Sequence, residues 1–273
     1  MANLKHVPHF TRKYRRTPRP MDASATIQAA PFGWSSSNWS GYAIASDTSG
    51  TYQSVSASWQ VPAVQATSTS PAPSGWGWLG RLLSWLFGGG GQSSTDAYSA
   101  TWIGIDGFNN SNLIQTGTAQ NIVNGKPQYY AWWEILPAAE TEIDPVQYPV
   151  SAGDMMTAAI AKQADGTWQI QLANQTRGWT FLKNGIQYTG PQTSVEWIEE
   201  APEVNGSITS LANYGQVTFS NITVNGANPN LQISEAGVLV QGNQQLSTPS
   251  APGPNGNDFN IAYGATQPSA PGT

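Results

Sequence analysis

SVSASWQVP, residues 54–62, alternates apolar and polar side chains without interruption. Val55, Ala57, Trp59 and Val61 fall on one face, serines on the other, and Pro62 ends the run. A period of two marks a half-buried β-strand. The same period returns along the chain. YSATWIGIDG (98–107) sets Ala100, Trp102 and Asp106 on one face and Thr101, Ile103 and Ile105 on the other. PQYYAWWEILP (127–137) sets Tyr130, Trp132 and Glu134 against Tyr129, Ala131, Trp133 and Ile135. Further strands are predicted at 155–162, 167–174, 193–200, 215–224, 231–240 and 258–263, separated by turn clusters such as ADG, KNG, VNG and PGPNGND. No segment keeps a helical period beyond a couple of turns. These features predict an all-β fold, an antiparallel sandwich or barrel.

Composition agrees. Twelve Trp, ten Tyr and seven Phe supply a core, although only 39% of the 273 residues are hydrophobic and 10% are charged. Disordered chains lack aromatics and carry more charge. The net charge of −5 conceals an asymmetry. Six basic residues lie in the first twenty positions; beyond them five basic residues face all sixteen acids, a charge of −11. A body so poor in base is not expected to bind nucleic acid through phosphates. It has few ion pairs to lose in acid, so an acidic working environment fits.

Residues 1–33 are expected to be a basic, proline-containing leader or propeptide without fixed structure, although no apolar signal core follows the basic start. The sandwich is expected over 34–264. It is interrupted by a Gly/Trp-rich insertion at 63–95, whose segment 75–87 is too short to span a bilayer. A flexible tail is expected over 265–273. No integral membrane segment is expected.

The body also lacks the usual hydrolytic groups. Both histidines, His6 and His9, lie in the leader and there is no cysteine. Unless the leader folds back, this excludes a Ser-His-Asp triad, a Cys-His dyad and a histidine zinc site. Candidates for chemistry are therefore carboxylates and amides. Asp106 and Glu134 stand on faces otherwise occupied by tryptophan and tyrosine. Gln115 lies at a strand end in LIQTG, with an amide that donates and accepts. Glu196, Glu199, Glu200 and Glu203 cluster within eight residues, Glu196 and Glu200 sharing a face. From pattern alone this is an aromatic-lined, carboxylate-bearing sheet face, which suits sugars and extended peptides equally.

SSNWSGY (36–42), ATWIGIDG (100–107), LIQTG (113–117), YAWWEILP (130–137) and VEWIEE (195–200), in this order, resemble the motifs of the glutamic peptidases, the eqolisin family. The resemblance runs from about Asn38 to Tyr263. It implies a sandwich of two bent antiparallel sheets, concanavalin-like, with the site on a concave face. It also implies a Gln/Glu dyad, with the catalytic glutamine at Gln115 and the catalytic glutamate at Glu200. Trp39, Trp102, Asp106, Glu134 and Glu196 match residues that line the cleft and support the dyad, and Trp132 is expected to add a stacking wall. Ala201 stands where the family usually carries an acid. The implied enzyme is a secreted, monomeric, pepstatin-insensitive endopeptidase acting on proteins or peptides in acid, with no metal or cofactor. An ordinary glutamate pKa near ~4.3 suits such a base. The alternatives are a non-catalytic carbohydrate-binding sandwich and a glycosidase using Glu134 and Glu200, which requires carboxyls about 5–10 Å apart.

Overall fold

The computed structural model describes residues 14–15, 31–65 and 96–272. Apart from 14–15 and 31–33, the expected leader lies outside the described residues. So does the Trp-rich segment 75–87 of the expected insertion. The described chain forms short strands: β1 (Tyr14–Arg15), β2 (Trp34–Ser36), β3 (Trp39–Ala45), β4 (Ser54–Gln60), β5 (Ala97–Ile105), β6 (Ile114–Val123), β7 (Lys126–Ile135), β8 (Thr141–Glu142) and β9 (Met155–Lys162). These continue through β10 (Trp168–Asn174), β11 (Trp179–Ile186), β12 (Ser194–Glu200), β13 (Glu203–Val204), β14 (Ser207–Ile208), β15 (Gln216–Val224), β16 (Ala236–Gln241), β17 (Gln244–Pro249) and β18 (Phe259–Tyr263). One 3-10 turn, Ile233–Glu235, is the sole helical element among the described residues. No helix there is long and apolar enough to cross a membrane.

The hydrogen-bonded order is β11-β10-β9-β4-β15-β18-β17-β16-β3-β12-β5-β6-β7-β8, with β2 joining β16 in parallel. This path folds over itself so that β4 and β9 pack on β5 and β6. Trp59 Nε1 of β4 donates to Thr118 Oγ1 of β6 at 3.1 Å, and Trp197 Nε1 of β12 donates to Ser56 O of β4 at 3.3 Å. Two polar indole hydrogens thus stitch the layers of an antiparallel β-sandwich, the predicted class. A small second sheet, β1-β13-β14, follows β12.

The layer β3-β12-β5-β6-β7 positions the site because it is buried on both faces. Inward, Tyr42, Ile103, Ile114, Val195 and Trp197 join the main core. Each large aromatic there contributes up to about 4–6 kcal/mol by burial. The opposite face carries a separate cluster with Trp39, Trp102, Leu113, Trp132 and Ile198. Every residue of β12, SVEWIEE, is buried. Antiparallel sheets commonly leave one face wet, so two buried faces set this layer apart.

Among the longer strands, β3, β11 and β17 were not anticipated, and β6 only by the strand end placed at Gln115; β11 and β17 are rich in polar or exposed residues. The segment 231–240, predicted as one strand, starts with the 3-10 turn. Residues 265–272, expected as a flexible tail, are held where Asn260 Nδ2 donates to Ser269 O at 2.8 Å.

Candidate active site

Register decides which candidates meet. Residues directly opposite each other in antiparallel ladders share a face. Across five strands, one row runs Ala43–Glu196–Gly104–Gln115–Glu134. The next row on that face is Gly41–Ile198–Trp102–Gly117–Trp132, and the one after it is Trp39–Glu200–Ala100–Ala119–Tyr130. Seven expected site residues, Trp39, Trp102, Gln115, Trp132, Glu134, Glu196 and Glu200, therefore stand on one face, and all are fully buried.

Within that face the two expected partners are not neighbours. Gln115 and Glu200 differ by four residues along the strands and two strands across. At about 3.3 Å per residue and 4.8 Å per strand this is roughly 16 Å between backbones. Gln115 and Glu196 share a row, about 10 Å apart across one intervening strand. The residue between them is Gly104, and a Cβ there would lie 3.4 Å from Glu196 Oε2 and 2.8 Å from Trp102 Cζ3. The space over Gly104, between the two strands, is thus taken up by the edge of the Trp102 ring and by Leu113 Cδ1, with Glu196 Oε2 beside them.

Hydrogen bonding singles out the same row. Gln115 Nε2 donates to Glu134 Oε2 at 2.8 Å, which fixes the amide plane. Gln115 Oε1 and both Glu196 carboxylate oxygens meet no hydrogen-bond partner among the described residues. Buried polar atoms are rarely left so. Three of these atoms lie in one row. Burial pushes the Glu196 carboxyl well above the ordinary carboxylate range. The Asp106 charge pushes it further, and the Ser194 hydroxyl opposes them only in part. Ser194 favours the charged form from nearby without forming a hydrogen bond of ordinary geometry.

Asp106 departs from the strand pattern. Its φ of 72° takes it out of β5 into the left-handed region, which aspartate tolerates better than most residues. Its carboxylate is buried but well supplied. Tyr188 Oη donates at 2.7 Å, Gln192 N at 2.9 Å, Thr193 N at 2.9 Å and Asn110 Nδ2 at 3.0 Å. Burial, then Asp106 itself, raise the Tyr188 hydroxyl far above its usual range, so it stays a donor. Asp106 thus ties the segment after β5 to the one before β12, and Gly190 allows that close approach, since a Cβ there would meet Tyr188 Oη and Asp106 Oδ2. Sequence gave no sign of Tyr188, Gln192 or Thr193.

The other acids fall elsewhere. Glu199 points inward, where Thr101 Oγ1 donates to its Oε2 at 2.7 Å. Glu200 Oε2 accepts from Trp102 Nε1 at 2.8 Å. Glu134 and Glu200, the pair a glycosidase would need, are four residues and three strands apart. Their backbones are roughly 19 Å apart, too far for acid and base across one sugar. Among the described residues no group of three His, Cys, Asp or Glu is placed to hold a metal ion.

A model of the peptidase A4 family matches residues 37–263. Aspergillopepsin-2 of Aspergillus niger is 26% identical over 212 residues, covering 75% of this chain and 70% of that protein. Among solved structures, scytalido-glutamic peptidase with a transition state analog inhibitor has a TM-score of 0.62 at 22% identity, covering 83% of this chain and 98% of that one. Aspergilloglutamic peptidase from Aspergillus niger has a TM-score of 0.53 at 23% identity, over 61% of this chain and 99% of that one. The two solved structures share the fold, and the family match spans both β6 and β12, which carry the row of unmet polar atoms. The chain is a glutamic peptidase, a member of the peptidase A4 family.

Proposed function

We propose that this chain is an endopeptidase whose dyad is Gln115 and Glu196, rather than Gln115 and Glu200. The observation that carries it is the row Glu196–Gly104–Gln115–Glu134, with unmet oxygens on Glu196 and Gln115, the residues on either side of a glycine. A water held between them donates one hydrogen to Gln115 Oε1 and the other to the Glu196 carboxylate. Glu196 takes the proton as the water oxygen attacks the scissile carbonyl. The Gln115 amide hydrogen not engaged by Glu134 donates to the oxyanion. Loss of one such donor typically costs about 3–4 kcal/mol. Protonated Glu196 then returns its proton to the leaving nitrogen, and no covalent intermediate forms.

The raised pKa of Glu196 revises the pH expectation. An unperturbed glutamate is half ionised near ~4.3; Glu196 ionises later, so the acid side of the rate profile lies above that value. Glu134 orients Gln115, and Asp106 keeps Glu196 high while tying the loops beside it.

The substrate is an unfolded or extended chain; Trp39, Trp102 and Trp132, all buried, pack together on the face that carries the dyad. Pepstatin and chelators leave activity intact, because a single carboxylate and an amide do the work. The enzyme acts as a secreted monomer. The leader acts as a propeptide, supported by the antiparallel pairing of Tyr14–Arg15 with Glu203–Val204, just after β12. The test is cleavage of denatured casein by Glu196→Gln and Gln115→Ala. Each should be inactive with its fold intact, and full activity in either variant would remove its assigned role.

A further inference from the structure

Glu200 remains to be explained: a buried acid on the site face, two rows from the dyad and too far from Gln115 to share a water. We infer that Glu200 is a positioning residue, which acts on the dyad through the indole of Trp102. The inference rests on the Gln115/Glu196 assignment for its meaning in catalysis.

Trp102 lies in the middle of the three rows, between Glu196 and Glu200. Its two ends serve different rows. Nε1 donates to Glu200 Oε2 at 2.8 Å. Cζ3, on the far side of the indole, reaches to 2.8 Å from the position a Cβ would take on Gly104, the residue separating Glu196 from Gln115. The ring is therefore a strut, anchored at Glu200 and ending over Gly104, the residue between the proposed catalytic groups. Trp39, opposite Glu200 on β3, meets Trp102 edge-on, with centroids 4.9 Å apart at 77°, and braces the strut from the side. A hydrogen bond in a buried site fixes direction as well as distance. Without it the indole loses its one polar anchor and can turn about its side-chain torsions, which moves Cζ3 over Gly104. Displacements of this kind near reacting groups weigh heavily, since about 1 Å of misplacement can cost on the order of 10²-fold in rate.

The requirement at position 200 is thus an acceptor, not a proton carrier. Glutamine keeps the acceptor and removes the titration; leucine removes both. Glu200→Gln should keep kcat within about threefold of the parent, whereas Glu200→Leu should lose on the order of 10²-fold in kcat. Trp102→Phe keeps an aromatic ring but has no N–H, and should reproduce that loss. The double variant Glu200→Leu/Trp102→Phe should be no slower than Trp102→Phe alone, because both changes break one link.

A second measurement does not depend on activity. In a 15N-labelled protein the Trp102 indole N–H, assigned by its absence in Trp102→Phe, should shift upfield in Glu200→Leu and stay near its parent position in Glu200→Gln. Additive losses in the cycle, or an unmoved indole resonance in Glu200→Leu, would overturn the inference. An inactive Glu200→Gln with an unmoved indole resonance would overturn it too, by making Glu200 the proton-transfer group. An active Glu196→Gln would instead sink the dyad assignment, while the indole shift would still report whether Glu200 anchors Trp102.

Discussion

Two buried carboxylates, one in each layer of the sandwich, have been given opposite surroundings. Asp154, just before β9, is 4% exposed, and three donors converge on its Oδ2. Arg177 Nε contacts its Oδ2 at 2.5 Å, Asn174 Nδ2 donates at 2.8 Å and Ser151 N at 2.9 Å. Burial pushes its pKa up, but Arg177, Asn174 and Ser151 outweigh that and the net shift is downward. Glu196 is 0% exposed, has no base near it and no hydrogen-bond partner among the described residues, and its pKa is pushed up. One acid is arranged to stay charged and hold a turn between strands. The other has the surroundings that the proposed proton exchange requires, with unmet oxygens that a purely structural acid avoids.

The sharpest way to break this contrast is to neutralise each acid in turn. Glu196→Gln should lower kcat/KM by about 10²–10⁴-fold, the usual range for a general acid–base group, while Asp154→Asn should leave kcat/KM of the folded protein unchanged. Next in size is the glycine between the dyad partners. Gly104→Ala puts a methyl group against Trp102 Cζ3 and Leu113 Cδ1, at 2.8 and 3.0 Å. It should cost on the order of 10²-fold in rate by displacing groups between the dyad partners, read as lower kcat in a protein with parental circular dichroism.

Smaller effects should fall on stability. Arg177→Met leaves Asp154 without its cation. Breaking a fully buried pair costs about 3–5 kcal/mol, but the Arg177 side chain is 37% exposed. Solvent screening reduces the expected loss to about 1–2 kcal/mol, or a few degrees in Tm. Activity at temperatures below the transition should not change.

The smallest effect is the most discriminating, because its sign differs between the two sites. Glu196 has a folded pKa above its unfolded one. Its favourable contribution is therefore complete below the ordinary carboxylate range and is lost as pH rises through the raised value. Asp154 is depressed, so its contribution is present above the unfolded pKa and is lost as pH falls through the lower folded value. Glu196→Gln should accordingly raise Tm at neutral pH, with the gain vanishing below about pH 4. Asp154→Asn should lower Tm at neutral pH and approach the parent only in stronger acid. A Glu196→Gln variant destabilised at neutral pH would mean that the carboxylate has a partner.

Much of this was legible in the chain. The alternation over 54–62 and 155–162 identified β4 and β9 because those strands bury one face more fully than the other; in β7 the alternating types of 127–137 marked the strand although both of its faces are covered over Tyr130–Trp132. β11 escaped because WTFLKNGI is an edge strand with mostly exposed residues. The polar QQLSTP of β17 carries no apolar period. Turn-rich composition suggested a free tail beyond 264, yet its carbonyls are caught by neighbouring side chains. At the site, the five motifs fall on the strands that carry the proposed dyad. They did not reveal which glutamate of VEWIEE faces Gln115, because that depends on how β12, β5 and β6 are aligned, a property of three separated segments. Gly104, unremarkable in sequence, becomes informative only once the row is drawn. Asp106 likewise follows the strand period on paper but leaves it through a positive φ.

The most direct test measures kcat/KM for Glu196→Gln and Glu200→Gln side by side on one denatured protein substrate at the parent optimum. Loss in Glu196→Gln together with near-parental turnover in Glu200→Gln is the predicted result. The reverse pattern, with Glu196→Gln active and Glu200→Gln inactive in folded protein, would contradict a dyad that meets across Gly104.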